Sequence, residues 1–153
     1  MRFNQVDLMP EIVTVIEIDA PPEIIFNVLN DFNRAQIWNI VITDAKEIEP
    51  GKKYFFNTNI GEMTTTRTET IENKKIAMLQ EGSPIQEMAY ILEPKGDKTE
   101  AKIWGVFELE EQRSIMQMAG ELLLKSLKVY VNYLMAGGKP EEYKKSFNKI
   151  KNA

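Results

Sequence analysis

Two side chains of opposite charge, Arg67 and Glu69, are the strongest candidates for chemistry in this sequence. The stretch from Met63 to Ile71 alternates like a β-strand, so Arg67 and Glu69 point to the same side if the strand is regular. Its apolar ends predict that this side faces inward. Buried charges need each other or the polar end of a bound molecule. The alternatives are a register shifted by one residue, or a position at an open mouth where both side chains reach water.

Two residue types are missing from the chain, and their absence limits the reactions that it can perform. There is no cysteine and no histidine. This excludes thiolate nucleophiles, disulfides, histidine triads and metal sites built on those ligands. Acid–base chemistry would fall on Glu69 or Tyr90, with Arg67 holding an enolate or carboxylate. We expect no catalytic residue, no metal and no cofactor, and we leave the question of an enzyme open, leaning towards none.

A long helix near the C-terminus must support any such site. Its apolar residues recur at steps of three and four, which places them on one face: Met116, Ala119, Leu123, Leu127, Tyr130 and Leu134. We predict a helix from Ser114 to Ala136, begun by a capping box between Ser114 and Gln117 and ended by Gly137-Gly138. A short helix from Pro140 to Ile150 should follow.

The remaining elements are predicted to be mostly strands. The segment 11–19 alternates, and Pro21-Pro22 then breaks it and begins a helix. A second short helix should cover 34–37. Six strand-like segments joined by tight turns fill most of the chain from residue 41 to residue 110, which is typical of an antiparallel meander. The fold class is therefore α+β.

Several motifs resemble those of the START-like, or SRPBCC, superfamily, which includes the major birch pollen allergen and the polyketide cyclase/dehydrase family. They are the segment 18–32 with its Ala-Pro-Pro-Glu turn, Trp38-Asn39, Pro50-Gly51, and Leu127-Lys128-Val129-Tyr130. The resemblance covers about residues 11–136. It implies a helix-grip fold: a curved, seven-stranded antiparallel sheet wrapped around the long C-terminal helix, with two short helices after the first strand and a cavity between sheet and helix. We therefore expect one domain, 1–153, in which 139–153 forms an extra helix.

Strand alternation and the helix periodicity assign side chains to the cavity that the resemblance implies. The predicted lining is Trp38, Tyr54, Phe56, Arg67, Glu69, Met78, Met88, Tyr90, Ile103, Phe107, Met116, Leu123, Leu127 and Tyr130. Methionines suit a variable apolar ligand, although they also fill ordinary cores. The leading hypothesis is the binding or transport of a small hydrophobic molecule such as a lipid, an isoprenoid or a polyketide-like aromatic. A cyclase or dehydratase is the enzymatic alternative.

Two surfaces outside the cavity suggest other partners. One is an apolar patch on the outer sheet face that would support a homodimer or an interaction module, and the alternative is that residues 1–10 cover it. Its members are Val13, Val15, Ile91, Trp104 and Val106. The other is the segment 139–153, with five lysines and two glutamates, which either contacts an anionic membrane weakly or docks on the body of the protein.

Bulk properties limit the remaining classes of function. The net charge of −4 over 153 residues argues against nucleic acid as a partner. We find no apolar run of the length that spans a bilayer, and the first residues do not read as a secretory signal. The expected location is the cytoplasm.

Overall fold

A seven-stranded antiparallel sheet dominates the computed structural model, which describes residues 9–153. Its strands are β1 (Glu11–Ile18), β2 (Ile42–Glu49), β3 (Lys53–Thr58), β4 (Gly61–Ile71), β5 (Lys75–Glu81), β6 (Ile85–Lys95) and β7 (Lys98–Phe107). The strand order is β1-β7-β6-β5-β4-β3-β2. Strands β2 to β7 therefore form the predicted meander, and β1 joins it by pairing with β7.

Within residues 9–153, four helices accompany the sheet: α1 (Pro22–Asn30), α2 (Ala35–Trp38), α3 (Arg113–Met135) and α4 (Phe147–Ile150). Short 3₁₀ turns cover Phe32–Arg34, Glu110–Gln112 and Pro140–Glu142. Helix α3 is the long helix, and the curved sheet grips it, so the predicted α+β helix-grip arrangement is confirmed. Strands β1, β5 and β6 each turn apolar side chains towards the core. For example, Ile12, Met78 and Leu92 are buried.

The beginning of α3 differs from the prediction. The helix starts at Arg113, directly after a 3₁₀ turn, so Ser114 already lies in its first turn and does not cap it. Instead, the side chain of Gln112 accepts a hydrogen bond from the Leu109 N–H at 3.4 Å. The predicted end is correct, because the Gly137 and Gly138 N–H groups donate to carbonyls of the last turn.

Helix α3 lies close against β1 at Gly120. A Cβ atom at Gly120 would be 3.0 Å from Thr14 Cγ2 and 3.1 Å from Thr14 Oγ1. The missing side chain therefore allows contact between helix and strand. Gly105 on β7 serves a different neighbour, since a Cβ there would meet Ile85 at 3.2 Å. Helix α3 and β1 therefore leave no space for a side chain between them at Gly120.

The segment after α3 is not the single helix predicted from Pro140 to Ile150. The backbone is extended at Tyr143 and at Ser146, between the 3₁₀ turn and the four-residue α4. This extension lets the Lys145 ammonium donate to the Asn39 carbonyl at 2.7 Å and to the Ile42 carbonyl. Burial lowers the pKa of Lys145. The segment is thus docked on the body of the protein.

The outer-face patch is smaller than predicted. Val13 and Val15 are half exposed, and Val13 pairs in register with Trp104. Val106, however, is only 2% exposed, so its predicted place in the patch is wrong. Pro10 lies beside the C-terminal end of β7, next to Val106, because the Phe107 N–H donates to the Pro10 carbonyl at 3.0 Å. The alternative cover by residues 1–10 falls mostly outside the described residues.

Candidate functional site

A cavity of about 390 Å³ lies between the inner face of the sheet and the N-terminal half of α3, and we call it the central cavity. Its walls come from the α1–α2 segment, strands β2 to β6, α3 and the segment after α3. Seven side chains of the predicted set line it: Trp38, Phe56, Met78, Met88, Tyr90, Met116 and Leu123. The structure brings these seven together, and their role in binding a ligand stays a prediction.

Several other predicted lining residues belong to the packed core instead. Ile103, Phe107 and Leu127 are buried, but none lines the central cavity. Tyr54 is also buried away from it and packs on Phe32, with ring centroids 5.0 Å apart. For Ile103 and Phe107 on β7, the strand next to β1, this agrees with the close contact of α3 and β1 near Gly120. Space opens only farther across the sheet, beyond β7.

Tyr130 lies away from the central cavity, contrary to the prediction. Its ring packs against Tyr143 at 4.8 Å and against Tyr133 at 6.4 Å between centroids, where the C-terminal segment docks. Burial raises the pKa of Tyr130. The cavity therefore extends from Leu123 towards Met116 and not towards Tyr130.

Glu69 lies on the outer face of the sheet, so the prediction that it faces inward is wrong. Arg67 pairs with Met78 and Glu69 pairs with Ala77, which leaves two steps on β4 for one step on β5. Thr68 is the extra residue of this β-bulge, and a bulge reverses the alternation beyond it. The Glu69 carboxylate instead forms an ion pair with Lys75 at 2.7 Å.

Arg67 does face inward, but it contacts the end of α1 and not the central cavity. Its guanidinium donates to Asn30 Oδ1 at 2.5 Å and also to the Asn30 carbonyl. It lies over the Phe32 ring, 4.0 Å from the centroid. A cation at the C-terminus of a helix satisfies free carbonyls and the helix dipole. Arg67 thus joins α1 to β4.

These positions predict a clear difference between two charge-removing substitutions. Arg67→Met loses two charged hydrogen bonds and should lower the free energy of unfolding by about 2 kcal/mol. Glu69→Gln breaks an exposed ion pair and should cost less than about 0.5 kcal/mol. Urea unfolding followed by circular dichroism measures both values. Equal losses for the two variants would contradict this assignment of Arg67 and Glu69.

Within the described residues, no aspartate, glutamate, lysine or arginine lines the central cavity. Its polar groups are neutral hydroxyls and amides, among them those of Thr65, Gln80 and Asn59. Thr65 is fully buried, and its hydroxyl oxygen has no hydrogen-bond partner in the described structure. Tyr90 is the cavity's titratable side chain, and burial raises its pKa, so its hydroxyl remains protonated. The cavity offers hydrogen bonds without charge.

Exposed apolar side chains surround the opening of the central cavity. They come from three separate parts of the chain: Ile60 in the β3–β4 turn is 81% exposed, Ile115 on α3 is 64% exposed, and Phe147 on α4 is 57% exposed. All three also line the cavity. An apolar ligand would therefore meet apolar surface from the opening inward.

Comparison with solved structures identifies the fold. A START superfamily protein from Mycobacterium smegmatis matches with a TM-score of 0.69 and 20% identity, over 81% of this chain and 98% of that chain. The Zhui aromatase/cyclase from Streptomyces sp. R1128 matches with a TM-score of 0.70 and 14% identity, over 86% and 99%. The Aha1 dimer from Colwellia psychrerythraea matches with a TM-score of 0.68 and 22% identity, over 80% and 96%.

The chain has the START-like helix-grip fold. No family model and no curated protein matches its sequence. Identities of this size show the fold alone, and of these three solved structures the Zhui aromatase/cyclase is the one whose name states an activity. The function must therefore be argued from the cavity itself.

Two further observations on residues 9–153 concern metal sites and membrane-spanning helices. No group of three or more carboxylate, histidine or cysteine side chains is placed to hold a metal ion there. None of the helices in that range is both long and apolar enough to cross a membrane.

Sequence reasoning missed Ser126, which fixes one wall of the central cavity. Ser126 lies on the buried side of α3, where its hydroxyl donates to the Trp38 carbonyl at 2.5 Å and accepts from the Ile40 N–H at 3.2 Å. It thereby fixes the chain between α2 and β2 against the long helix. A serine next to Leu127, inside an apolar helix face, was the available signal.

Proposed function

We propose that the protein binds, and in that way carries, a small and uncharged hydrophobic molecule in the central cavity. The observation that supports this most is the cavity of about 390 Å³ with apolar walls and no charged side chain among the described residues. Its size falls in the range of small-molecule sites, roughly 300–1,000 Å³. A few convergent hydroxyls and amides in such a site fix the orientation of a ligand.

The lining favours a neutral ligand over an ionised one. A carboxylate buried beside Met78, Met88 and Leu123 would have no cation to pair with, and such burial is very costly. A hydroxyl or ketone can instead reach the unpaired Thr65 hydroxyl or the Gln80 amide. Isoprenoid alcohols, neutral lipids and uncharged polyketide-like aromatics fit this description, and free fatty acids do not.

A pair of ligands that differ only in charge tests the proposal. The neutral dye N-phenyl-1-naphthylamine serves as the fluorescent probe, and 1-dodecanol and dodecanoate compete with it at pH 8. We expect 1-dodecanol to bind at least about 100-fold more tightly, because the alcohol keeps its hydrogen bond without burying a charge.

Two results would contradict the proposal. If the protein binds neither the dye nor either competitor, the central cavity is not a ligand site. If dodecanoate binds as tightly as 1-dodecanol, a ligand of the proposed neutral class is not selected.

The two alternative functions have weaker support. A cyclase or dehydratase needs groups that take up a proton from the substrate, yet Glu69 lies on the outer face and Tyr90 stays protonated, so its phenol is at most an acid. The sharing of a fold with an aromatase/cyclase does not supply those groups. A homodimer or interaction module through Val13, Val15, Ile91 and Trp104, a membrane contact through 139–153 and a cytoplasmic location stay predictions.

A further inference from the structure

A second hollow of about 300 Å³, the side pocket, lies on the other side of the α1–α2 segment from the central cavity. Its walls include Val28 on α1, Leu134 near the end of α3, and Pro140. Asp31 and Arg34 also line it. The side pocket thus has an apolar wall, and unlike the central cavity it also carries two charged side chains among the described residues.

The segment between the two hollows presents alternate side chains to each of them. Leu29, Phe32 and Ala35 line the central cavity. Val28, Asp31 and Arg34, each displaced by one residue, line the side pocket. Among the described residues, Trp38 is the one that lines both hollows. Its buried side chain therefore stands at the point where the two come together.

The main chain at Trp38 is held independently of its indole ring. The Trp38 carbonyl accepts the hydrogen bond from the Ser126 hydroxyl, and the Asn39 N–H donates to the Ala35 carbonyl at 2.9 Å. Neither bond involves the side chain of Trp38. A smaller side chain at this position would thus open a passage while the backbone of α2 keeps its place.

We propose that the indole of Trp38 is a partition that sets the greatest length of ligand the protein accepts. This rests on the proposed function of the central cavity. An apolar chain that fills the cavity ends against the ring, and without the ring it continues between Val28 and Leu134 into the side pocket. Trp38 is accordingly a specificity-determining residue.

A homologous series of neutral alcohols, from 1-octanol to 1-octadecanol, tests the partition by displacement of N-phenyl-1-naphthylamine. In the natural protein, each added methylene should raise the affinity about fourfold until the chain end meets Trp38, after which the gain stops. In Trp38→Leu the gain should continue for at least two further methylenes. The longest alcohols should then bind more than tenfold more tightly than they do to the natural protein.

Three further variants define the result. We call the chain length at which the affinity stops rising the break. Val28→Phe added to Trp38→Leu fills the side pocket and should return the break to the chain length found in the natural protein. Phe107→Leu truncates another buried ring that lines neither hollow, and it should leave the break unmoved. Trp38→Phe is a smaller change, to be used if Trp38→Leu does not fold, and should move the break by at least one methylene.

The possible outcomes separate this inference from the proposed function. If the natural protein binds none of the alcohols, the proposed function fails and the partition fails with it. If the natural protein shows a break that Trp38→Leu or, in its place, Trp38→Phe leaves at the same length, the partition alone is overturned. A break that moves equally in Phe107→Leu, or that Val28→Phe does not restore, overturns it as well.

Discussion

Ala119→Trp should abolish ligand binding and leave the protein folded. Ala119 lies on α3 and lines the central cavity, so an indole at this position fills space that the ligand would occupy. We expect the dissociation constant for N-phenyl-1-naphthylamine to rise at least about 100-fold, since the loss of much of the buried apolar contact costs several kcal/mol. Fluorescence titration measures the affinity, and circular dichroism confirms that the fold is retained.

Met118→Trp provides a matched control on the same helix. Met118 directly precedes Ala119, is 67% exposed and does not line the cavity. Both variants introduce tryptophan into the same helix, so the two substitutions change the helix propensity by similar amounts. The control should bind the dye as the natural protein does. Undiminished binding by Ala119→Trp would show that the dye occupies another site, and the central cavity would lose its proposed role.

Alternation along the sequence predicts which way a side chain points, but it does not predict what the side chain meets. Tyr90 and Ile103 illustrate the limit. Both were assigned inward, both are buried, and they pair directly across β6 and β7. Tyr90 lines the central cavity, whereas Ile103 is packed core. The difference depends on the local distance between helix and sheet, and that distance follows from contacts far apart in sequence, such as Gly120 over Thr14.

Glu69 shows a second limit, which concerns the backbone. Its inward assignment required a regular strand, and the extra residue Thr68 breaks the pattern. Nothing in the run of alternating threonines indicates a bulge at that position. The structure shows why Arg67 nevertheless keeps its inward direction: its guanidinium is bound to the end of α1 at Asn30. The bulge reverses the alternation after Arg67 and places Glu69 beside Lys75.

The contacts of Ser126 show that α3 also holds the main chain beside the central cavity in place. The periodicity of the helix did not predict this role. The helix was predicted to provide an apolar wall. It also holds the polypeptide that carries Trp38, through a buried hydroxyl that both donates and accepts. The same helix therefore shapes the central cavity and fixes the residue that separates it from the side pocket.

Ser126→Ala should accordingly be among the most destabilising substitutions of a small side chain in this protein. It leaves the Ile40 N–H and the Trp38 carbonyl buried without their partner. Each unsatisfied group costs about 1–3 kcal/mol, so we expect a loss of about 2–4 kcal/mol in the free energy of unfolding. The thermal midpoint should fall by roughly 5–15 °C for a domain of this size. Urea and thermal unfolding measure both quantities.

Ser114→Ala is the control for this substitution, and it also tests the start of α3. Ser114 is exposed and caps nothing in the structure, so its replacement should change the free energy of unfolding by less than about 0.5 kcal/mol. A loss near 1 kcal/mol would instead support the capping box predicted from the sequence. If Ser126→Ala costs no more than Ser114→Ala, the hydroxyl of Ser126 does not hold Trp38 in place, and the main chain beside the partition must be fixed by other contacts.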